Sequence, residues 1–163
     1  MKLEKAHYVV ATAIIVKDGK YLLLKRSPNE TAYPRMWSVP GGKLERKDYE
    51  QKPKDSEDAW YYVGERLVER EVLEEAGITI KNIRYLTSLT FVRPDNIPVV
   101  VLSYFADYDT GDVTLHDQSH TEHVWASVKE AKEYDLIPGI YEEIEMIDHH
   151  LQGNPLGTWK KRE

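Results

Sequence analysis

A stretch free of proline that ends at a glycine constrains the fold more than any other feature of the sequence. From Asp55 to Ala76 the chain contains no proline and one glycine, so little in it would break a helix. Asp55 and Ser56 are typical N-cap residues, and Gly77 is typical of the position just after a helix. We therefore predict one long helix from Ser56 to Ala76.

The apolar residues of this helix predict how it packs. One side carries four of them at helical spacing: Tyr61, Val68, Val72 and Ala76. The opposite side carries three more: Trp60, Val63 and Leu67. An apolar stripe normally faces a core. We expect the first side to face a sheet and the second to face another layer.

Strand-like segments flank the helix on both sides. Three precede it, at residues 7–16, 21–24 and 36–39, and three follow it, at 78–91, 98–106 and 122–127. A short helix over 128–134 and a final helix ending near Leu151 complete the pattern. This order predicts an α/β/α sandwich on a mixed β-sheet that joins 7–16 to 98–106. We expect one domain over residues 1–163, with 152–163 as a loose tail.

Three glutamates near the end of the predicted helix are the chemically informative feature. At about 100° per residue, Glu71, Glu74 and Glu75 share one stripe of the helix surface. Three such carboxylates repel one another unless a cation lies between them, and Mg²⁺ takes oxygen ligands of this kind. A solvated acidic face is the alternative interpretation. The preceding Gly41–Gly42 pair favours a site, because glycine lets the backbone approach a ligand closely.

Residues 37–45 and 70–78 together resemble the Nudix box of the Nudix (MutT-like) hydrolases. The matching positions are Gly42, Arg70, Glu71, Val72, Glu74, Glu75, Gly77 and Ile78. Pro40 and Gly41 precede the box as is usual in that family, and the similarity extends from about residue 7 to 151. The resemblance implies a Nudix-like α/β/α sandwich.

Two departures from the box concern its first half. Asp48 stands where the family has glutamate, and 21 residues separate it from Arg70 where the family has seven. We interpret the insertion as a longer loop over 46–54, which shapes the site entrance, plus extra helical turns before the box. Glu57 is a candidate to replace the missing glutamate.

The resemblance also implies an activity. Family members use water and Mg²⁺ (or Mn²⁺) to cleave a diphosphate linkage in a nucleoside triphosphate or a nucleoside diphosphate derivative. Glu71, Glu74 and Glu75 would hold the metal, with the Gly41 carbonyl as a further oxygen. Arg70 would orient Glu71. One of the glutamates, or Glu122 further along the chain, would accept the proton of the attacking water.

The substrate contacts are less constrained than the metal ligands. Arg26 and Arg35, together with Gly41 and Gly42, are candidates for contacting phosphate, although both arginines are equally compatible with a solubilising loop. His120 and His123 flank Glu122, and we expect both to be exposed to solvent. The sequence does not identify the base, the sugar or the leaving group.

Two alternative functions stay open. One is an ADP-ribose pyrophosphatase, because Pro94 lies 16 residues after Ile78, a spacing associated with that subgroup. A hairpin turn explains the same proline. The other is a catalytically silent Nudix domain used for ligand binding, which the altered spacing between Gly42 and Arg70 suggests. The intact glutamate set argues against it.

The composition of the chain limits the kinds of molecule that we expect it to bind. The net charge of −6 argues against a nucleic-acid polymer, which would need a basic face. No apolar run approaches the roughly 20 residues that span a bilayer, and the absence of cysteine excludes thiolate chemistry. We expect a cytoplasmic protein that acts on a small-molecule nucleotide. A homodimer through Tyr61, Tyr62 and the inserted segment is also open.

Overall fold

The computed structural model describes residues 3–162, which form a sheet with one helix on each face. The seven strands are β1 (Tyr8–Lys17), β2 (Lys20–Arg26), β3 (Trp37–Ser38), β4 (Gly41–Lys43), β5 (Thr79–Val92), β6 (Pro98–Thr110) and β7 (His120–Ala126). The two helices are α1 (Val63–Ala76) and α2 (Ile140–Leu151). Short 3-10 turns occur at Arg46–Asp48 and Glu130–Glu133. The latter stands where we predicted a short helix over 128–134.

The sheet is mixed, as predicted. β1 and β6 are parallel, with partners running from Tyr8 and Val99 to Val16 and Asp107. β5 pairs antiparallel with β6, while β4 and the hairpin strand β2 share the other edge of β1. β3 and β7 both pair with β2. The predicted union of the first strand with residues 98–106 is therefore confirmed.

Alternation along β1 divides the core into two halves. Ala13 and Ile15 are buried with Val68 and Val72 of α1. Ile14, one residue along, is buried with Ile144 and Ile147 of α2 on the other half. Successive strand residues point to opposite faces, so each helix covers one face of the sheet. This arrangement is the predicted α/β/α sandwich.

The predicted start of the long helix was wrong, because α1 begins at Val63 and not at Ser56. The Tyr61 backbone N–H donates to Asp55 Oδ2 at 2.9 Å, and the Ala59 N–H donates to Ser56 Oγ at 3.2 Å. Short polar side chains that bind nearby backbone groups compete with helix formation. The two expected N-cap residues therefore hold a turn. Tyr62, with φ of 54°, reverses the chain before the helix.

The later start also changes which residues pack. Val68, Val72 and Ala76 are fully buried as predicted, whereas Tyr61 lies outside the helix and is 57% exposed. Leu67 belongs to the same buried cluster as Val68 and not to an opposite side. Trp60 packs against Tyr49 of the inserted segment, with ring centroids 5.1 Å apart and ring planes tilted by 55°. The insertion is thus a loop that returns to α1, without extra helical turns.

The C-terminal segment follows α2 back along its length. The Trp159 indole Nε1 donates to the Gly139 carbonyl at 3.2 Å, and Arg162 binds the Glu145 carboxylate at 2.6 Å. Leu156 packs against the α2 half of the core. Among residues 3–162, no helix is both long enough and apolar enough to cross a membrane.

The orientation of α1 is testable with two neighbouring positions. Val72 is fully buried and Leu73, the next residue, is 53% exposed. We expect Val72→Ala to lower the free energy of unfolding by about 2 kcal/mol because it leaves a cavity. Leu73→Ala should change it by less than about 0.5 kcal/mol. Urea titrations measure both, and equal losses would contradict this orientation of the helix.

Candidate active site

The Glu75 carboxylate joins the end of α1 to the double glycine. Glu75 is 7% exposed, and its Oε2 accepts a hydrogen bond from the Gly41 backbone N–H at 3.2 Å. Burial raises the pKa of Glu75 well above its usual range, the Gly41 hydrogen bond opposes this, and the charges of Glu71 and Asp117 raise it further. The charge of Arg26 also opposes the increase, but burial outweighs both opposing effects.

Arg70 forms ion pairs with three acidic side chains. Its guanidinium lies 2.9 Å from Asp48 Oδ1, 2.9 Å from Glu71 Oε1 and 2.8 Å from Glu74 Oε2. Burial lowers the pKa of Arg70, but the three carboxylates together more than offset this and raise it. Glu71 keeps a raised pKa, because burial outweighs the attraction of Arg70. Arg70 therefore fixes where Glu71 and Glu74 lie.

The position of Asp48 explains how the chain tolerates an aspartate where the family has a glutamate. Its side chain is only 8% exposed and is paired with Arg70, although 21 residues separate the two in the sequence. Glu57, the predicted replacement, is exposed in the turn region before α1. Asp48 is therefore one of the acidic partners of Arg70, and the inserted residues do not separate it from Arg70 in space.

The two glycines are required for space and not for an unusual backbone conformation. A Cβ atom on Gly42 would overlap the Glu71 carboxylate, and one on Gly41 would lie 2.5 Å from the Ala11 carbonyl oxygen. Neither glycine has a positive φ. The strand β4 can therefore lie against both β1 and the carboxylates of α1 only because these side chains are absent.

Asp117, in the loop before β7, and His120, the first residue of β7, both lie close to Glu75. One ligand atom each from Glu75, Asp117 and His120 lies within 4.8 Å of the others. His120 is 6% exposed, so its expected solvent exposure was wrong, whereas His123 is exposed as expected. Burial lowers the pKa of His120 to about 4, so the ring is neutral near pH 7.

An irregularity in strand pairing explains why His120 faces inward. Lys25 is opposite Glu122, but Arg26 is opposite His120, so Thr121 is an extra residue on β7. A bulge of this kind re-aims the side chains on one side of it. Because strand alternation gives no sign of a bulge, the sequence did not predict the burial of His120.

Three predicted site residues remain: Glu122, Arg26 and Arg35. The Glu122 carboxylate binds Lys25 Nζ at 2.9 Å and is 56% exposed, so its catalytic role stays a prediction. Arg26 binds the Ala32 carbonyl and Glu30, and its charge lowers the pKa values of Glu75 and His120. Arg35 is exposed, with φ of 63°. Arg26 is therefore near the cluster while anchoring the loop before β3.

The donor set suits a hard divalent cation. Glu71 and Glu75 are partly or wholly buried carboxylates whose pKa values are raised by burial, and Asp117 adds to the negative charge beside them. Mg²⁺ and Mn²⁺ take carboxylate oxygens. A cation bound here would relieve the repulsion, so the residues fit the metal that the sequence implied.

Metal binding should be visible in stability. In metal-free buffer at pH 8, we expect Glu75→Gln to be at least as stable as wild type, because a raised pKa means that the ionised carboxylate opposes folding. This advantage should shrink as the pH falls through the folded pKa towards that of the unfolded chain, where both states are protonated. With Mg²⁺ at 100 times its Kd, wild type should gain about 2.7 kcal/mol.

Thermal melts with Mg²⁺ and with EDTA measure these effects. Glu69→Gln is the matched control, because Glu69 is exposed on the same helix. It should keep the full Mg²⁺ response, while Glu75→Gln should lose most of it. An equal Mg²⁺ response in wild type and both variants would contradict a metal site at Glu75.

Comparison with known protein families identifies the family of this chain. The NUDIX domain matches residues 6–147. The NAD-capped RNA hydrolase NudC of Chromobacterium violaceum is 29% identical over 130 residues, which are 80% of this chain and 40% of that protein. The chain spans less than half the length of the curated relatives it matches first.

Solved structures show the same fold. A MutT NUDIX hydrolase from Burkholderia pseudomallei is similar with a TM-score of 0.69 and 24% identity, covering 86% of this chain and 98% of that one. The NUDIX domain of Shewanella oneidensis NrtR, solved with ADP ribose, has a TM-score of 0.64 and 18% identity, covering 91% and 89%. By the match over residues 6–147, together with this fold, the chain belongs to the NUDIX domain family.

Proposed function

We propose that the protein hydrolyses a diphosphate linkage in a nucleoside diphosphate derivative. Family membership supports a hydrolase that acts on pyrophosphate bonds. The observation that carries the proposal is the group of acidic side chains around Glu75, which is held by the Gly41 N–H and lies beside Asp117. A diphosphate would be repelled by such a group unless a cation reverses the local charge.

Glu71, Glu74 and Glu75, with the Gly41 carbonyl, are the residues that would hold Mg²⁺ or Mn²⁺. When bound, the cation would polarise the phosphoryl oxygens and lower the pKa of water. The protein supplies the positions of these ligands. Arg70 fixes Glu71 and Glu74, and the Gly41 N–H fixes Glu75.

Asp117 is our candidate for accepting the proton of the attacking water. It lies in the loop before β7, within ligand distance of Glu75, and its carboxylate is 41% exposed. A general base must reach the water it deprotonates, and an exposed carboxylate beside the metal ligands meets that condition. Glu122, which is paired with Lys25, is the second candidate. Asn substitutions at 117 and Gln substitutions at 122 distinguish them.

The relatives suggest which linkages to test. NudC is named an NAD-capped RNA hydrolase, and the NrtR domain was solved with ADP ribose. Both ligands contain an adenosine diphosphate joined to a second group. We therefore propose ADP-linked compounds, such as NAD-type dinucleotides and ADP-ribose, ahead of nucleoside triphosphates. An RNA carrying such a linkage belongs in the same panel.

The structure removes the reason for expecting a catalytically silent Nudix domain. The altered spacing between Gly42 and Arg70 raised that possibility, but Asp48 still pairs with Arg70. The insertion therefore gives no reason to expect a distorted set of metal ligands. The cytoplasmic location and the homodimer stay predictions; Tyr61 and Tyr62 are 57% and 69% exposed, as a contact would need.

We expect Mg²⁺-dependent turnover of at least one ADP-linked compound, with AMP as a product. Glu75→Gln and Asp117→Asn should each lower kcat by about 10²-fold or more, because each removes a charge or proton acceptor needed in the reaction. Glu69→Gln should retain wild-type kcat. Mass spectrometry of both products in ¹⁸O-labelled water shows which phosphorus atom is attacked.

Other outcomes would count against the proposal. Wild-type kcat in both Glu75→Gln and Asp117→Asn would remove the basis for placing the chemistry at this cluster. Turnover confined to carboxylic esters or peptides would contradict the substrate class.

A further inference from the structure

The imidazole of His120 lies close to two carboxylates without hydrogen-bonding to either. Nδ1 is 3.9 Å from Glu75 Oε2 and 4.0 Å from Asp117 Oδ1, and both distances exceed hydrogen-bond length. One ligand atom from each of the three residues lies within 4.8 Å of the other two. A cation with bonds of about 2.1 Å to nitrogen and oxygen joins atoms up to about 4 Å apart. The spacing therefore suits a shared cation better than it suits direct contacts.

The same ring is buried without a full set of hydrogen-bond partners. His120 is 6% exposed, and its Nε2 has no partner among residues 3–162. Nδ1 lies 2.9 Å from Ser119 Oγ, but that hydroxyl also donates to Asp117 Oδ1 at 2.6 Å. A buried polar atom without a partner lowers stability, and a bulge at Thr121 turns the ring inward nonetheless. A cation bound by the ring would offset that cost.

The neighbouring arginine is engaged elsewhere. Arg26 is the strand partner of His120, but its guanidinium binds the Glu30 carboxylate at 3.0 Å and the Ala32 carbonyl at 2.9 Å. It forms no ion pair with Glu75 or with the carboxylate of the loop before β7. When ionised, these two carboxylates therefore carry two negative charges, which a divalent cation would balance.

We propose that Glu75, Asp117 and His120 bind a second divalent cation, and that the imidazole makes it a transition ion such as Co²⁺, Ni²⁺ or Zn²⁺ in preference to Mg²⁺. The inference rests on the proposed function, in which Glu75 is already a ligand of the cation beside Glu71 and Glu74. Imidazole nitrogen suits these transition ions, whereas Mg²⁺ takes oxygen ligands. His120 thus gives this part of the site a different metal preference from that of the glutamate stripe.

Both carboxylates have a second oxygen for the roles proposed above. Glu75 presents Oε2 to His120, and Asp117 presents Oδ1. Oε1 of Glu75 is left for the first cation, and Oδ2 of Asp117 is left for the attacking water. A second cation is therefore compatible with the proposed hydrolysis.

Calorimetric titrations with Co²⁺ and with Mg²⁺ test the preference. The chain carries no histidine tag, because such a tag binds Co²⁺. His120→Asn puts an amide oxygen near the position of Nδ1. We expect it to weaken Co²⁺ binding by about tenfold or more and to change the Mg²⁺ Kd by less than about threefold. His123→Asn is the matched control, because His123 is exposed on the same strand, and it should leave both Kd values unchanged.

Proton NMR of the Co²⁺-bound protein shows directly whether a ring nitrogen is a ligand. The ring protons of an imidazole bound to Co²⁺ shift far outside the normal spectrum, and the N–H proton among them disappears in D₂O. The chain has six histidines, so the variants assign the signals. We expect shifted signals in wild type that are lost in His120→Asn and kept in His123→Asn. The wild-type spectrum is informative even if His120→Asn is unstable.

Three results would overturn this inference. The first is the absence of shifted histidine signals from wild type with Co²⁺ bound, and the second is their persistence in His120→Asn. The third is an equal loss of Co²⁺ and Mg²⁺ affinity in that variant, which would indicate a structural role for the ring. Hydrolysis of ADP-linked compounds with Mg²⁺ is measured separately. A lack of turnover would count against the proposed function and leave the Co²⁺ measurements to judge the role of His120.

Discussion

The hydrogen bond between the Gly41 backbone and the Glu75 carboxylate is the contact on which the candidate site depends. It joins the last turn of α1 to β4. The strand can lie there because a side chain on Gly42 would overlap Glu71 of the helix and one on Gly41 would overlap β1. The same contact buries an acidic group among other acidic groups, at a cost in folding free energy. A cation that binds the folded protein would recover that cost, so metal binding here would stabilise the fold by relieving the repulsion that the same contact creates.

Arg70 explains how this arrangement tolerates a long insertion. The guanidinium binds Asp48 on one side of the insertion and Glu71 and Glu74 on the other. Because the Arg70 side chain fixes both ends of the inserted segment, the length of that segment has little effect on the site. The entropy cost of closing a loop also grows slowly with loop length. The turns built by Asp55 and Ser56 then occupy the residues between.

Features set by local pattern were predictable from the sequence, and features set by tertiary pairing were not. The buried side of α1 and the glutamate stripe follow from periodicity and residue type. The start of α1 depended on whether Ser56 would bind its own turn or a helix, a choice that depends on the surrounding loop. The burial of His120 depended on one extra residue in β7. The burial of Glu143 depended likewise on how α2 packs against the sheet.

Direct measurement of metal binding tests whether the carboxylates around Glu75 form a divalent-cation site. It requires no knowledge of the substrate. Titration with Mn²⁺, followed by electron paramagnetic resonance, counts free and bound ions. We expect saturable binding to wild type and to Glu69→Gln with the same Kd, and at least tenfold weaker binding to Glu75→Gln. Equal Mn²⁺ affinity in Glu75→Gln and wild type would contradict such a site.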